Sequence, residues 1–405
     1  MSASLRVREA AEPPPRETPR LRLEFLDGLR GLAALYVVLY HTVQYVGPGL
    51  SPLAQAAIGW MRYGHYAVCV FIVLSGYCLM LPVARSADGQ LRGGFWPYIK
   101  RRARRILPPY YAALAISLLL VVLVESVKGG DRSSETWATN FSPGVLLSHL
   151  FVVHNLWFDW HMAIDPPMWS VATEWQIYFL FPLLLLPVWR KGGVIALFAV
   201  SFVLSYAPRL LLPADSNLDW ACPWFIGLFA MGMAGAVVGF SQQPAMRAWR
   251  ERIPWGLWAF ALFGAICGIL ACGSEGMHDL WIMDVLVGMF SACLILYCAL
   301  AAGSRSEARR PWMLRLLETR GAVLLGTFSY SLYLIHFPAL YKFFAVLGSL
   351  RLPPLMELVF RIGVGVPLAL SVSYLFHLAF ERRFMPGHPH TERQAAKSAA
   401  LSPAP

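Results

Sequence analysis

The chain has 405 residues, 57% of them apolar and only 14% charged, with a positive mean hydropathy. Soluble domains carry about 25% charged residues, so this composition excludes an ordinary soluble protein and indicates an integral membrane protein. The formal charge of +11 would suit a nucleic-acid binder, but in a membrane chain it reflects lysine and arginine gathering in cytoplasmic loops. No nucleic-acid partner is expected.

The first 24 residues are polar, basic and proline-rich (AAEPPPRETPR). They suit a disordered cytosolic tail rather than a cleaved signal. A transmembrane helix needs ~20 mostly apolar residues. Ten such runs follow: 26–46, 65–83, 106–127, 169–188, 192–212, 221–240, 254–272, 280–302, 323–347 and 355–380. The weaker segment 143–158 is interrupted by His149, His154 and Asn155 and reads as a re-entrant or interfacial piece. With the N-terminus inside, the inside segments hold 26 basic residues and the outside loops four. The expectation is an all-α polytopic bundle of about ten transmembrane helices with both termini cytosolic, in the plasma (inner) membrane among its lipids. The membrane domain spans 25–386, between tails at 1–24 and 387–405. The seven cysteines lie in or beside apolar runs without metal-ligand spacing and read as small apolar residues. Neither a metal nor a resident cofactor is expected.

In the first run, RGLAALYVVLYH places Arg30 and His41 eleven residues apart. Eleven residues turn a helix through three turns plus ~20° and rise ~16 Å, so the two side chains share one face. Both are costly in hydrocarbon. A snorkelling arginine and a satisfied core histidine are the structural alternatives to a functional pair. YIKRRARRILPPYY, 98–111, sets Lys100, Arg101, Arg102, Arg104 and Arg105 before the third run. It reads either as a positive-inside anchor or as an anion clamp, since arginine forks bind phosphates bidentately. Glu174 in MWSVATEWQIYFLFPLLLLPV, 168–188, lies at a depth similar to that of His41. A carboxylate that orients an imidazole is a general arrangement for a working base. FSYSLYLIHFP, 328–338, adds Tyr330 and His336. HNLWFD, 154–159, spells an H-x4-D pattern of glycerolipid acyltransferases, but nothing around it supports that match.

FLDGLRGLAALYVVLYH, FIVLSGYCL, YIKRRARRILPPYY, WSVATEWQIYFLFPLLL, SYSLYLIHFP and AFERRF stand in the order and spacing of acyltransferase family 3. This family of integral membrane acyltransferases includes the O-acetyltransferases of surface polysaccharides. The resemblance runs from about residue 24 to 386. It implies that Arg30 and His41 are the family's R-x10-H pair, essential for transfer. It places the basic region on Arg102 to Arg105 and the W-S-[LV]-x-x-E segment on Trp169, Ser170 and Glu174. Where members often carry two adjacent acids, this chain has Trp175 in the second place. Many members also carry a C-terminal hydrolase-like transferase domain. None is read here, so the membrane part is expected to act unaided or with a separate partner.

The expected activity is transfer of a short acyl group, acetyl above all, from cytosolic acyl-CoA (acetyl-CoA) to a hydroxyl of an outer acceptor. That acceptor is a cell-surface glycan or a lipid-linked one. Arg30, Arg101, Arg102, Arg104 and Arg105 would hold the donor, and Trp169, Ser170, Tyr330 and His336 would line the path. His41 would act as base with Glu174 as its partner, and His336 would lie deeper or pack in the core. Trp137, Trp157 and Trp160 suit either sugar stacking or an interfacial belt. The rival expectation is a transporter or flippase, since intramembrane ionisable residues also mark substrate paths. Against it, the two halves of the chain show no repeat and no paired broken helices.

Overall fold

Glycine spacing explains which helices meet. In the computed structural model, residues 23–385 are described apart from 45, 47, 48, 128–141, 212–217, 273–279 and 304–309, with backbone only for 121–127 and 280. Every regular element among them is helical. The two expected disordered tails fall almost wholly outside the described residues, as does Trp137.

The chain begins with α1 (Glu24–Val43), a short α2 (Pro52–Gly59), α3 (His65–Arg85) and the long α4 (Phe95–Val127). A short α5 (Pro143–Leu150) precedes α6 (Met168–Leu180), which passes through a π turn into α7 (Leu186–Leu211). Next come α8 (Phe225–Phe240), α9 (Pro244–Arg252), α10 (Trp255–Ala271) and α11 (Leu280–Ala302). The short α12 (Trp312–Leu317) and α13 (Arg320–Thr327) lead to α14 (Ser329–Ser349). The last helices are α15 (Pro354–Phe360) and α16 (Val366–Phe376), joined by a π turn at Arg361–Gly365 and followed by another at His377–Glu381. Local chemistry sets several starts. The side chains of Ser51, Ser142 and Thr319 accept backbone N–H bonds at the heads of α2, α5 and α13. Pro52 and Pro143 stand in the first turn, where a missing N–H costs nothing.

All ten apolar runs fall on helices. Six stretches among the described residues are long and apolar enough to cross a membrane, or seven if α9 and α10, bent by 62°, form one span. The molecule is a multi-pass membrane bundle. Fewer stretches than runs qualify, partly because Met168–Leu211 counts once though it is 44 residues long and holds two runs. Gly193 divides them: its φ of 68° and ψ of −162° break the rod just past Arg190 and Lys191. Only glycine adopts such a conformation at little cost. Segment 143–167 does not cross. Its helix has eight residues, followed by a 3-10 turn at His154–Leu156, and it is tied to α4 where Tyr110 and Tyr111 donate to the carbonyls of His149 and Leu150 at 3.0 and 2.7 Å.

Two backbone-to-backbone contacts hold the bundle. A Cβ on Gly232 of α8 would lie 2.0 Å from the Val73 carbonyl oxygen, and one on Gly76 of α3 would lie 2.0 Å from that of Phe229. In α1, a Cβ on Gly28 would meet the Leu317 carbonyl at 1.7 Å, and one on Gly326 of α13 would meet that of Asp27 at 2.0 Å. Close approach through small residues is the usual basis of helix association in lipid, where apolar burial offers no drive. A Cβ on Gly31 would likewise lie 2.5 Å from the Ala322 carbonyl oxygen, so both glycines of FLDGLRG are packing residues, while Arg30 between them faces Cys78 of α3. Outward-facing Leu183, Ile195, Phe202, Leu257 and Phe260 are exposed, as expected of a surface that lipid covers. Gly232→Ala is expected to lower stability by ~1–3 kcal/mol, the usual cost of overpacking. Gly264→Ala, where a Cβ meets nothing within 4 Å, should be close to neutral. Thermal unfolding of the two variants in detergent measures the contrast.

Candidate active site

α1 and α3 run antiparallel: Gly64 at the head of α3 packs on Tyr40, while Cys78 farther along meets Arg30. This pairing divides the polar interior into an Arg30 end and a His41 end.

At the His41 end two imidazoles face each other. The ring centroids of His41 and His336 are 5.2 Å apart, and Phe337 lies 5.2 Å from His41 in an edge contact. His336, fully buried on α14, has Nδ1 at 2.8 Å from the Leu332 carbonyl and 2.9 Å from that of Tyr333. Carbonyls only accept, so Nδ1 carries the hydrogen and Nε2 holds the lone pair. That Nε2 is buried with no hydrogen-bond partner. On His41, Nδ1 lies 2.9 Å from the Gln44 side-chain oxygen. With the amide oxygen accepting, the same tautomer follows and Nε2 is again the basic nitrogen. One turn below His336, the Tyr333 hydroxyl pairs with Ser170 at 2.5 Å. This joins α14 to α6 beneath the histidines.

At the other end Arg30 donates to Asp27 at 3.2 Å and to the Cys78 sulfur at 3.3 Å. Arg105 interacts electrostatically with Arg30, Arg102, Glu381 and Tyr178. The Nε of Arg102 is buried without a partner. Arg30, Arg102 and Arg105 thus converge. Arg101 turns away and donates to the Arg92 carbonyl at 3.1 Å, while Arg104 is half-buried on the same helix. Tyr330 donates to the Ile106 carbonyl at 3.0 Å, so it bridges α14 to the arginine-bearing α4. Tyr330, Tyr333 and His336 follow at intervals of three along α14, each step ~4.5 Å, and form a line between the two ends.

Glu174 does not pair with His41. The Tyr178 hydroxyl donates to it at 2.5 Å and the Ser75 hydroxyl donates to the same oxygen. Ser75 lies one turn from Cys78 on α3, so Glu174 belongs to the Arg30 end. A similar count from the helix ends fixed neither true depth nor face: α6 presents Glu174 to α3, and α14 fills the place beside His41. His336, expected deeper or in the core, is fully buried and is the neighbour of His41.

Several site residues were not singled out from sequence. Ser75, Tyr178, Gln44 and Tyr333 are common residue types in unremarkable positions, although Gln44 stands three residues past His41. Glu381 and His377 had a readable signal, an acid and a histidine four apart in an apolar run. Glu381 accepts from Ser331 at 2.6 Å and lies 2.8 Å from His377 Nδ1, all three buried, and this carboxylate balances Arg105. Trp169 stacks on His65 with centroids 6.1 Å apart. The H-x4-D match does not assemble: Asp159 is exposed, while His154 is buried and stacked on His149 at 3.9 Å. Burial and that neighbour push His154 well below the ordinary imidazole range, so it stays neutral. Trp157 and Trp160 stack on each other at 4.8 Å.

An acyltransferase domain model of family 3 matches residues 23–378, which include both ends of this site. The chain belongs to acyltransferase family 3. Within the family it is similar to a putative peptidoglycan O-acetyltransferase, YrhL, of Bacillus subtilis, with 26% identity over 78% of this chain and 48% of the relative. It is also similar to the acyltransferase MdmB of Streptomyces mycarofaciens, at 27% identity over 79% of each chain. The O-acetyltransferase OatA of Staphylococcus aureus matches at 24% over 77% of this chain and 50% of the relative. The chain therefore spans about half the length of two of these family members. No solved structure matches it.

Proposed function

We propose that this protein transfers an acyl group, acetyl in the first instance, from cytosolic acyl-CoA to a hydroxyl on an extracytoplasmic glycan. The observation that carries the reading is the His41–His336 pair, two imidazoles with their Nδ1 atoms engaged and their Nε2 atoms left basic. The relatives named as O-acetyltransferases support a hydroxyl acceptor and a glycan. The basic residues at the Arg30 end support an anionic donor, and the charge asymmetry of the loops supports placing that end in the cytosol.

In this reading Arg30, Arg102 and Arg105 hold the donor phosphates, and the pantetheine arm lies along Tyr330 and Tyr333. The ~16 Å rise from Arg30 to His41 suits such an arm. Nε2 of a histidine takes the acceptor's hydroxyl proton as its oxygen attacks the thioester carbonyl. The C–O bond forms, the C–S bond breaks, and the coenzyme thiolate leaves and takes the proton back. Glu174, with Ser75 and Tyr178, shapes the donor end and does not tune the base. The plasma membrane is the proposed location. The test uses purified protein, acetyl-labelled acetyl-CoA and glycan fragments. Label is expected in base-labile O-acetyl groups on the glycan, with one coenzyme thiol released per ester formed. Thiol release that never yields an ester would overturn the reading.

A further inference from the structure

The histidine pair leaves another group of potential ligands unused, at the head of α3. His65 Nε2 lies 2.9 Å from both carboxylate oxygens of Asp284 on α11. One helical turn on from His65 is Cys69. One ligand atom from each of His65, Cys69 and Asp284 lies within 4.8 Å of the others. Asp284 and Cys69 are fully buried, while the His65 side chain is 29% exposed. Cys222 interacts electrostatically with both Cys69 and Asp284, and its backbone sits in the left-handed region at φ 49°, which is uncommon outside glycine.

We propose that His65, Cys69 and Asp284 form a zinc site, with water in the fourth position. The donor set is imidazole, carboxylate and thiolate, which zinc accepts in tetrahedral geometry at ~2.0–2.3 Å. Tetrahedral angles at those lengths separate nitrogen from oxygen by ~3.3 Å and sulfur from oxygen by ~3.6 Å. The histidine and the carboxylate need only part by a few tenths of an ångström, and the cysteine, whose sulfur lies within 4.8 Å of the other two ligand atoms, must swing in by at most about one. The Trp224 indole N–H donates to Asp284 Oδ2 at 2.7 Å. This is the outer hydrogen bond that orients a ligating carboxylate. The partly exposed edge of His65 gives the ion an entry path. Binding releases the Cys69 proton to solvent as the sulfur–metal bond forms, and the hydrogen that His65 Nε2 donates to Asp284 moves to Nδ1, or leaves if the ring is doubly protonated, so that Nε2 can ligate. The ion would clamp α3 to α11 and fix the His65 ring on which Trp169 stacks, next to Ser170. The assignment stands whether or not the acyl-transfer reading does.

The experiment uses the full chain in detergent, stripped with a chelator and titrated with cobalt(II) as a spectroscopic stand-in for zinc. One cobalt per chain is expected, with intense visible bands of a tetrahedral ion and a thiolate-to-metal charge-transfer band that zinc abolishes. Cys69→Ser should abolish the charge-transfer band while circular dichroism shows the helices intact. Trp224→Phe should weaken affinity by ~10–100-fold, the usual cost of losing such an outer contact. Cys293→Ser, away from the site, is expected to change nothing. No tetrahedral bands in the folded wild-type chain would overturn the proposal. A charge-transfer band undiminished in Cys69→Ser would do so too, as would a mass showing Cys69 and Cys222 joined in a disulfide.

Discussion

His41→Ala is expected to lower the acyl-transfer rate by ~10²–10⁴-fold, the range for a lost general base, with the helical fold retained. His41 is only half-buried, and its neighbours Tyr40 and Phe337 keep their own packing when the ring is removed. His336→Ala should match that loss, because it removes an Nε2 buried without a partner beside the same reacting atoms. The double variant should be little worse than either single one, since residues that act as a unit are not additive. Glu174→Gln makes the contrast. Glu174 is held by Tyr178 and Ser75 at the Arg30 end, so its loss should multiply with that of His41→Ala. Initial rates at saturating donor for the six proteins of these two cycles check both statements. Multiplying losses for the two histidines would break the pair into separate functions.

The second large effect is expected at Arg30. Hydrogen bonds to charged groups are worth ~1.5–3 kcal/mol, and each 1.4 kcal/mol is about tenfold. Arg30→Ala should therefore weaken acyl-CoA binding by about 10–150-fold with a smaller change in turnover. Arg30→Lys should recover little of this, because lysine is a point charge without the guanidinium fork. The Asp27 and Cys78 contacts hold that fork in place. Arg101→Ala should matter much less, because Arg101 already donates to the Arg92 carbonyl. Titrating a non-hydrolysable acyl-CoA analogue against the three variants reads the affinity directly. Equal affinities for Arg30→Ala and wild type would leave Arg30 as a helix-end anchor.

Much of the fold was legible in the sequence, because lipid imposes a simple rule: an apolar run of sufficient length becomes a helix. Even the break near Arg190 was readable, since charges and glycines interrupt the run there. The Arg30–His41 spacing announced two polar groups that hydrocarbon does not tolerate without partners. Their partners could not be read. Helical geometry gives the rise and the face of a residue on its own helix, but not which neighbour that face meets. Counting from the helix ends puts Glu174 beside His41 and His336 deeper, whereas the packing of α1 against α3 and α14 brings His336 to His41. Likewise Asp284 lies 219 residues from His65, so no local spacing could have joined them. The glycines of FLDGLRG marked the family, yet their role in letting α1 touch Leu317 and α13 needed the backbone positions.

In the proposed reaction, donor and acceptor reach one pair of histidines from opposite faces of the membrane. The most direct measurement places the protein in sealed vesicles of known orientation, with labelled acetyl-CoA on one side and the glycan acceptor on the other. O-acetylated glycan is expected only when acetyl-CoA is on the face that carries Arg30 and the acceptor is on the opposite face, with His41→Ala giving ~10²–10⁴-fold less product in that arrangement. Equal product with both substrates confined to the Arg30 face, or undiminished product from His41→Ala, would contradict it.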